Sequence, residues 1–515
     1  MKKRPILNII NFIRGFEPRP TETQDLITPV KEEIALSQKY GFKTTFLLQY
    51  DALLNPVFVQ LMKELDPNQF EIGIWHEIVQ PLTEACGIEW TGRWAWDWHC
   101  HCDFPVGYPK EQREQLVDES FRLFKEIFGY YPRVFGSWFY DSHTIRYLCD
   151  HYEIDAICNC KEQYGTDGYT LWGSYYGQGY YPSRTNVFMP AQTKEQQINT
   201  PLFRMLGSDP VYQYDFGLSI EEGADPIQKV ITLEPAYNAH GGGGIKKWVD
   251  WYMAENFNGD CLSFGYTQAG QENSFGWERF GAGLTMQYPI FERLVKEGRL
   301  EIETLGETGR WYKSQYAMTP PSAITAHSAF DDPEKKSVWY ATKDYRINLY
   351  FDNGAFRIRD LHLFDENHAD PYENTVAEGN EAVYETLPVV DGNRFSGNGI
   401  LSGVYPLDST GEPMRFSDMT FTETGEGEAD VTFLGETALT FSLAESSMRV
   451  SAESGFTLKN RIGKCDGTPK VISCSEKELV LSYDNTEYRI TLKAGLFQDA
   501  CTIVSENGVI EAAFA

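Results

Sequence analysis

The sequence predicts an α/β protein, a parallel (β/α) barrel followed by an antiparallel β-sandwich domain. Three observations predict it. Through roughly the first 315 residues, short apolar runs alternate with amphipathic stretches, the texture of repeated strand–helix units around a parallel sheet. Beyond Thr319-Pro320-Pro321 the alternation drops to a period of two, as in strands with one buried face. The chain of 515 residues is also long enough for one barrel-sized core plus an accessory module. These place a barrel over residues 1–319 and a sandwich over residues 320–515.

Taken in order, residues 7–13 read as the first strand and 25–40 as the helix after it. Residues 43–49 form the second strand and 56–65 its helix; 70–75 form the third. A long helix over 110–128 carries Leu116, Phe121, Leu123, Phe124 and Phe128 near helical spacing. Residues 134–138 and 156–159 give strands four and five, and 230–233 a sixth. A helix over 245–255 precedes the seventh strand at 261–266. A helix over 288–297 and a short last strand at 300–304 complete the first domain. Two stretches break the rhythm: 83–109, with Trp90, Trp94, Trp96 and Trp98, and 161–225, rich in Gly, Tyr, Pro and Gln. Loops this long in compact domains usually serve as lids or binding walls. Past residue 320, segments 346–351, 356–359, 431–434 and 488–492 alternate in period two. The turns Asp352-Asn353-Gly354 and Glu506-Asn507-Gly508 punctuate them, as in a sandwich.

The 74 acidic and 45 basic residues leave a net charge of −29, which repels phosphate backbones and anionic lipid. Nucleic acid and membrane are therefore not expected partners, whereas a carbohydrate substrate and a homo-oligomer are compatible with this surface. The apolar run at the N-terminus is interrupted by Asn8 and Asn11 and lacks a small-residue cleavage site, so it reads as a buried strand. No run reaches the ~18 apolar residues of a membrane span. Ten cysteines scattered over the chain suggest reduced thiols and a cytoplasmic protein. Cys100 and Cys102, with His99 and His101, form a cluster that could also ligate a metal, although the spacing is not that of a zinc knuckle.

In parallel barrels the chemistry sits at the C-terminal ends of the strands. Strand one ends in Arg14 and Glu17, strand two in Asp51, strand three in Trp75, His76 and Glu77. Strand four leads to Trp138 and Asp141, strand six to Glu234, and strand seven to Gln271, Glu272 and Trp277. Convergent carboxylates walled by aromatic rings suit sugar chemistry, where one acid protonates the leaving oxygen and a second carboxylate attacks or activates water. The catalytic candidates are thus Asp141, Glu272, Glu77 and Glu234. Arg14, Glu17, Asp51, Trp75, His76, Trp138, Gln271 and Trp277 are candidates for holding substrate. Asp141 equally fits a cap on the helix that follows it, and the tryptophans equally fit a core. The run His240-Gly241-Gly242-Gly243-Gly244 lacks the residues of a phosphate loop and reads as a flexible loop that lets backbone approach a ligand. No Gly-x-Ser-x-Gly elbow is present.

The segments Phe70-Glu71-Ile72-Gly73-Ile74-Trp75-His76-Glu77 and Phe128-Gly129-Tyr130-Tyr131-Pro132-Arg133-Val134-Phe135-Gly136-Ser137 resemble passages of the glycoside hydrolase/deacetylase superfamily. These are the distorted (β/α) barrels of polysaccharide deacetylases and family-57-type glycoside hydrolases, and the resemblance spans residues 5–315. It implies a nucleophile after strand four and an acid after strand seven, which are the positions of Asp141 and Glu272. The deacetylase metal pattern is incomplete: strand one leads to Phe16-Glu17-Pro18 instead of paired aspartates, and no second histidine follows His76 closely. The expectation is a glycoside hydrolase needing no cofactor. The alternatives are a divalent-metal (zinc) carbohydrate deacetylase using His76 with Asp51 or His101, and a non-catalytic sugar-binding protein.

Overall fold

Nine consecutive residues, Pro5–Ile13, are buried almost throughout and form β1, the strand around which a parallel sheet is built. The computed structural model describes residues 3–18, 24–216 and 230–514. The far end of the predicted 161–225 loop lies outside them. A strand apolar on both faces belongs inside a sheet covered on both sides. The two asparagines that interrupt its sequence are wired into that sheet: Asn8 Nδ2 donates to Thr308 Oγ1 at 2.8 Å, and Asn11 Oδ1 accepts from the Gln271 N–H at 3.1 Å.

From one edge, the strand Gly265–Ala269 pairs with β1. It is followed in parallel by β2 (Thr44–Leu48), β3 (Phe70–Trp75), β4 (Val134–Gly136), β5 (Ala156–Cys160) and the strand Leu202–Met205. Glu301–Glu303 also pairs with β1, and Gly179–Tyr180 adds an antiparallel edge. The sheet curls until the rings of Phe203 and Tyr266, on the two outermost parallel strands, stand 5.0 Å apart. No hydrogen-bonded ladder joins those outer strands among the described residues, so the sheet is a curled half-barrel, a distorted form of the expected barrel.

The predicted sixth strand is reduced to one bridge, Ser208 with Thr232. Its place is taken by Leu202–Met205, inside the stretch read as a loop. Arg204 hides this strand in the sequence: a buried guanidinium breaks the apolar run, yet its Nε donates to Cys160 O at 2.8 Å. The seventh strand lies at Gly265–Ala269, later than predicted, and the helix expected over 288–297 begins at Trp277. The helix Lys110–Phe128 matches its expected bounds.

From Ser322 onward the strands form two antiparallel sheets, of nine and eight strands, except Ala382–Glu385, which pairs with a strand of the first half. One apolar cluster joins them, with Val338, Ile347 and Phe356 on one side and Phe433, Phe441 and Ile490 on the other. Asn353 and Gly354 take positive φ of 49° and 82°, the backbone of a tight hairpin, as their sequence suggested.

Candidate active site

A cleft of about 570 Å³, its open mouth included, lies at the C-terminal ends of the parallel strands. Its centre is Arg14, the first residue after β1. The guanidinium is buried and donates to Glu77, from Nε to Oε2 at 2.9 Å and from Nη2 to Oε1 at 2.7 Å. Its Nη1 lies 2.7 Å from Glu272 Oε2 and donates to Ser274 Oγ at 3.1 Å. The face of Trp96 lies 4.1 Å beyond the guanidinium carbon. Burial alone would depress the arginine's pKa, but Glu272 and Glu77 outweigh it and raise it, so the cation is permanent.

Glu272 reaches this position because its backbone bridges to Phe12 of β1. The preceding Gly270 has φ +121°, and a Cβ there would lie 1.9 Å from Ile10 O; only glycine lets the chain pass β1 so closely. Ser274 Oγ donates to the second oxygen, Oε1, at 2.5 Å.

Glu234 lies in the same cleft. It accepts from Thr232 Oγ1 at 2.9 Å and from Gln271 Nε2 at 3.1 Å. Burial, reinforced by the charge of Glu272, pushes its pKa up to about 7. The glycine run at 241–244 packs behind this turn: the Gly243 N–H donates to Thr232 O at 2.8 Å, and Gln287 Nε2 donates to Gly243 O at 2.8 Å. Asp103 completes the acidic floor; burial, then Glu77, raises its pKa well above the ordinary value, and Trp96 Nε1 donates to it at 2.9 Å. Trp96, Trp98, Trp138, Tyr169 and Tyr237 supply aromatic surface.

The structure thus brings together Arg14, Glu77, Trp138, Glu234, Gln271 and Glu272. Other candidates lie elsewhere. Asp141 is fully buried outside the cleft lining: it caps the following helix through the Thr144 N–H at 2.9 Å and pairs with Arg113 Nη1 at 2.8 Å. Trp75 stacks on Phe12 at 4.0 Å in the core. His76 is buried beside Phe135, and burial lowers its pKa to about 4. Asp51 accepts the Gly15 N–H at 3.0 Å, and enclosure pushes its pKa up to about 6. Glu17 and Trp277 are half-buried and do not line the cleft.

Asp103, Gln163, Asp167 and Tyr169 line the cleft without having been singled out. Asp103 follows a Cys-His-Cys run that drew attention to sulfur, and the other three sit in an inserted hairpin whose strands carry no strand-end signature.

The described residues of the cleft supply no metal-ligand cluster. Among the described residues no three His, Cys, Asp or Glu side chains converge on one point. His76 Nε2 has no hydrogen-bond partner, but it lies in the core. Burial raises the Cys100 and Cys102 thiols, and Cys102 Sγ donates to His99 O at 3.2 Å, so both sulfurs are protonated and packed in this structure.

A solved protein from Parabacteroides distasonis, classed as a glycoside hydrolase/deacetylase, superposes on 75% of this chain and 90% of its own with a TM-score of 0.56 at 15% identity. The two chains share a fold. Structures matched with lower TM-scores include a protein from Pseudomonas aeruginosa PAO1 described as a probable polysaccharide deacetylase (11% identity, 62% and 93% coverage, TM-score 0.37). A family 4 acetyl xylan esterase from Clostridium thermocellum, solved with a cobalt ion, is another (12% identity, 61% and 94% coverage, TM-score 0.27). No family model and no curated protein matches the chain. In this chain the position after β1 is held by an arginine engaged with two glutamates. No helix among the described residues is long and apolar enough to cross a membrane.

Proposed function

We propose that the protein is a carbohydrate-active hydrolase that cleaves a glycosidic bond, with Glu234 as general acid and Glu272 as the ionised partner. One observation carries this reading: two neighbouring carboxylates stand in opposite electrostatic settings. Glu234 is raised to about 7 and so retains much of its proton near neutrality, while Glu272 is ion-paired to Arg14. That division suits an acid that protonates the leaving oxygen and a carboxylate that attacks the anomeric carbon or activates water. Glu77 then serves to hold Arg14, and Trp96, Trp98, Trp138 and Tyr169 offer faces to sugar rings. Asp141, bound to Arg113 away from the cleft, is given no catalytic role in this reading. The test is turnover of a panel of aryl glycosides and short oligosaccharides by the wild type and by Glu234→Gln and Glu272→Gln. Each amide is expected to lower kcat by about 10²–10⁴-fold; a rate close to wild type would remove that residue from its role.

Deacetylation is the second reading, favoured by the fold shared with the Parabacteroides distasonis protein, whose description carries both activities. Acetate release from N-acetylated oligosaccharides, lost with a chelator and restored by zinc, would select it over glycosidic cleavage.

A further inference from the structure

The walls of the cleft are braced by the C-terminal half of the chain. Residues 370–385, which lie between two strands of a C-terminal sheet, bond to the segments that form those walls. Asp370 Oδ2 accepts the Ser142 N–H at 2.7 Å, just after β4. Tyr372 O and Thr375 O each accept from Arg113 at 3.0 Å, the same guanidinium that pairs with Asp141. The Ala377 N–H donates to Val106 O at 2.8 Å.

The strap then ties two separate walls of the cleft. On one side, Gly379 O accepts the His101 N–H at 3.1 Å and Asn380 Oδ1 accepts the Cys100 N–H at 3.3 Å; these amides lie between Trp98 and Asp103, both of which line the cleft. On the other side, the Ala382 N–H donates to Gly168 O at 3.2 Å, and Ala382–Glu385 pairs in parallel with Tyr169–Trp172. That strand belongs to the hairpin that presents Gln163, Thr166, Asp167 and Tyr169 to the cleft. The approach is tight: Gly168 has φ +93°, and a Cβ there would lie 2.0 Å from Asn380 O.

We propose that residues 379–382 act as a tie that sets the spacing of the Trp98–Asp103 and Gln163–Tyr169 walls, with Asn380 as a positioning residue for substrate binding. The inference rests on the sugar-cleaving reading only where it speaks of substrate. The tie itself is a statement about two walls and one side chain. Asn380 is half-buried and lies outside the acid cluster, so its replacement leaves Glu234, Glu272 and Arg14 intact.

The experiment compares wild type, Asn380→Ala and Asn380→Asp, the last of which keeps an acceptor oxygen for Cys100. Hydrogen exchange of the folded full-length chain is read first, because it needs no substrate. Asn380→Ala is expected to speed exchange about tenfold or more in both 98–103 and 163–169, with β1–β3 unchanged, and Asn380→Asp to restore most of the protection. Acceleration in one wall only, or in neither, overturns the tie. On an aryl glycoside that the wild type turns over, Asn380→Ala is expected to raise KM about fivefold or more with kcat within about twofold. A fall in kcat with unchanged KM overturns the positioning role. If the wild type turns over no glycoside, the function proposed above fails while the exchange measurement still decides the tie.

Discussion

Arg14 grips Glu77 through two parallel hydrogen bonds, Nε to Oε2 at 2.9 Å and Nη2 to Oε1 at 2.7 Å, with both side chains almost wholly out of water. Gln49 Nε2 adds a third donor to Glu77 Oε2 at 2.8 Å. The pair therefore holds the remaining guanidinium edge at a fixed angle toward Glu272. Removing either partner strands a buried charge, so Arg14→Gln and Glu77→Gln should each destabilise the fold by about 3–5 kcal/mol in urea unfolding. Arg14→Lys keeps the charge but not the fork, and should still lose most of the activity.

Activity should fall as pH rises through about 7, because a general acid must carry its proton and Glu234 is raised to about 7 by burial. The measurement is a kcat/KM profile on an aryl glycoside with a leaving group that needs protonation. Arg279 and Glu272 face the same carboxylate, and their influence is part of the measured value. Glu234→Gln should remove the alkaline limb, and a limb that persists unchanged would assign it to another group.

Asp141 should prove to be a stability residue. Asp141→Asn keeps a residue able to cap the helix but unpairs Arg113. Its unfolding free energy should drop by about 3 kcal/mol or more, while kcat of the folded enzyme stays within about threefold of wild type. A loss of kcat by orders of magnitude without a stability change would reinstate it as a catalytic group.

Asp370 gives the strap a pH dependence of known sign. Burial, with the nearby charge of Asp141, pushes its folded pKa up to about 7, whereas in the unfolded chain it ionises near the ordinary aspartate value. From about pH 4 to about pH 7 the unfolded state sheds this proton and the folded state keeps it, so stability from this group declines as pH rises across that window and is level above it. Each pKa unit of difference corresponds to about 1.4 kcal/mol. Asp370→Asn should flatten that part of the stability–pH curve, read by chemical unfolding at several pH values.

The sequence carried the architecture wherever local pattern and burial agree. β1 to β5 stand close to the expected segments, and the turn at Asn353-Gly354 takes the backbone that its residues favour. Leu202–Met205 escaped notice because tertiary contacts satisfy Arg204, and no local pattern reports a guanidinium bonded to a carbonyl 44 residues away. The same limit governs the site. Arg14, Glu77, Glu234 and Glu272 follow strands or near-strands, so the barrel rule finds them. It also finds Asp141, whose partner Arg113 sits on a helix 28 residues earlier and is invisible to a reading of strand ends. Trp75 and Trp138 are both aromatic residues at the ends of adjacent strands, and only packing separates the core ring from the cleft ring.

Trp172, in the hairpin beside the cleft, donates its indole N–H to Asp391 across 219 residues of chain at 2.8 Å, and Ala382–Glu385 lies along the same hairpin strand. A ribosome must therefore finish well over two-thirds of the polypeptide before the rim of the cleft has its last neighbours. Until then the hairpin lacks a strand to rest on, and the nascent first half has an unfinished mouth lined with tryptophan and tyrosine. A fragment ending near residue 320 thus lacks part of the support of the cleft. Exchanging the C-terminal sheets for those of a relative would change the cleft's shape along with its support.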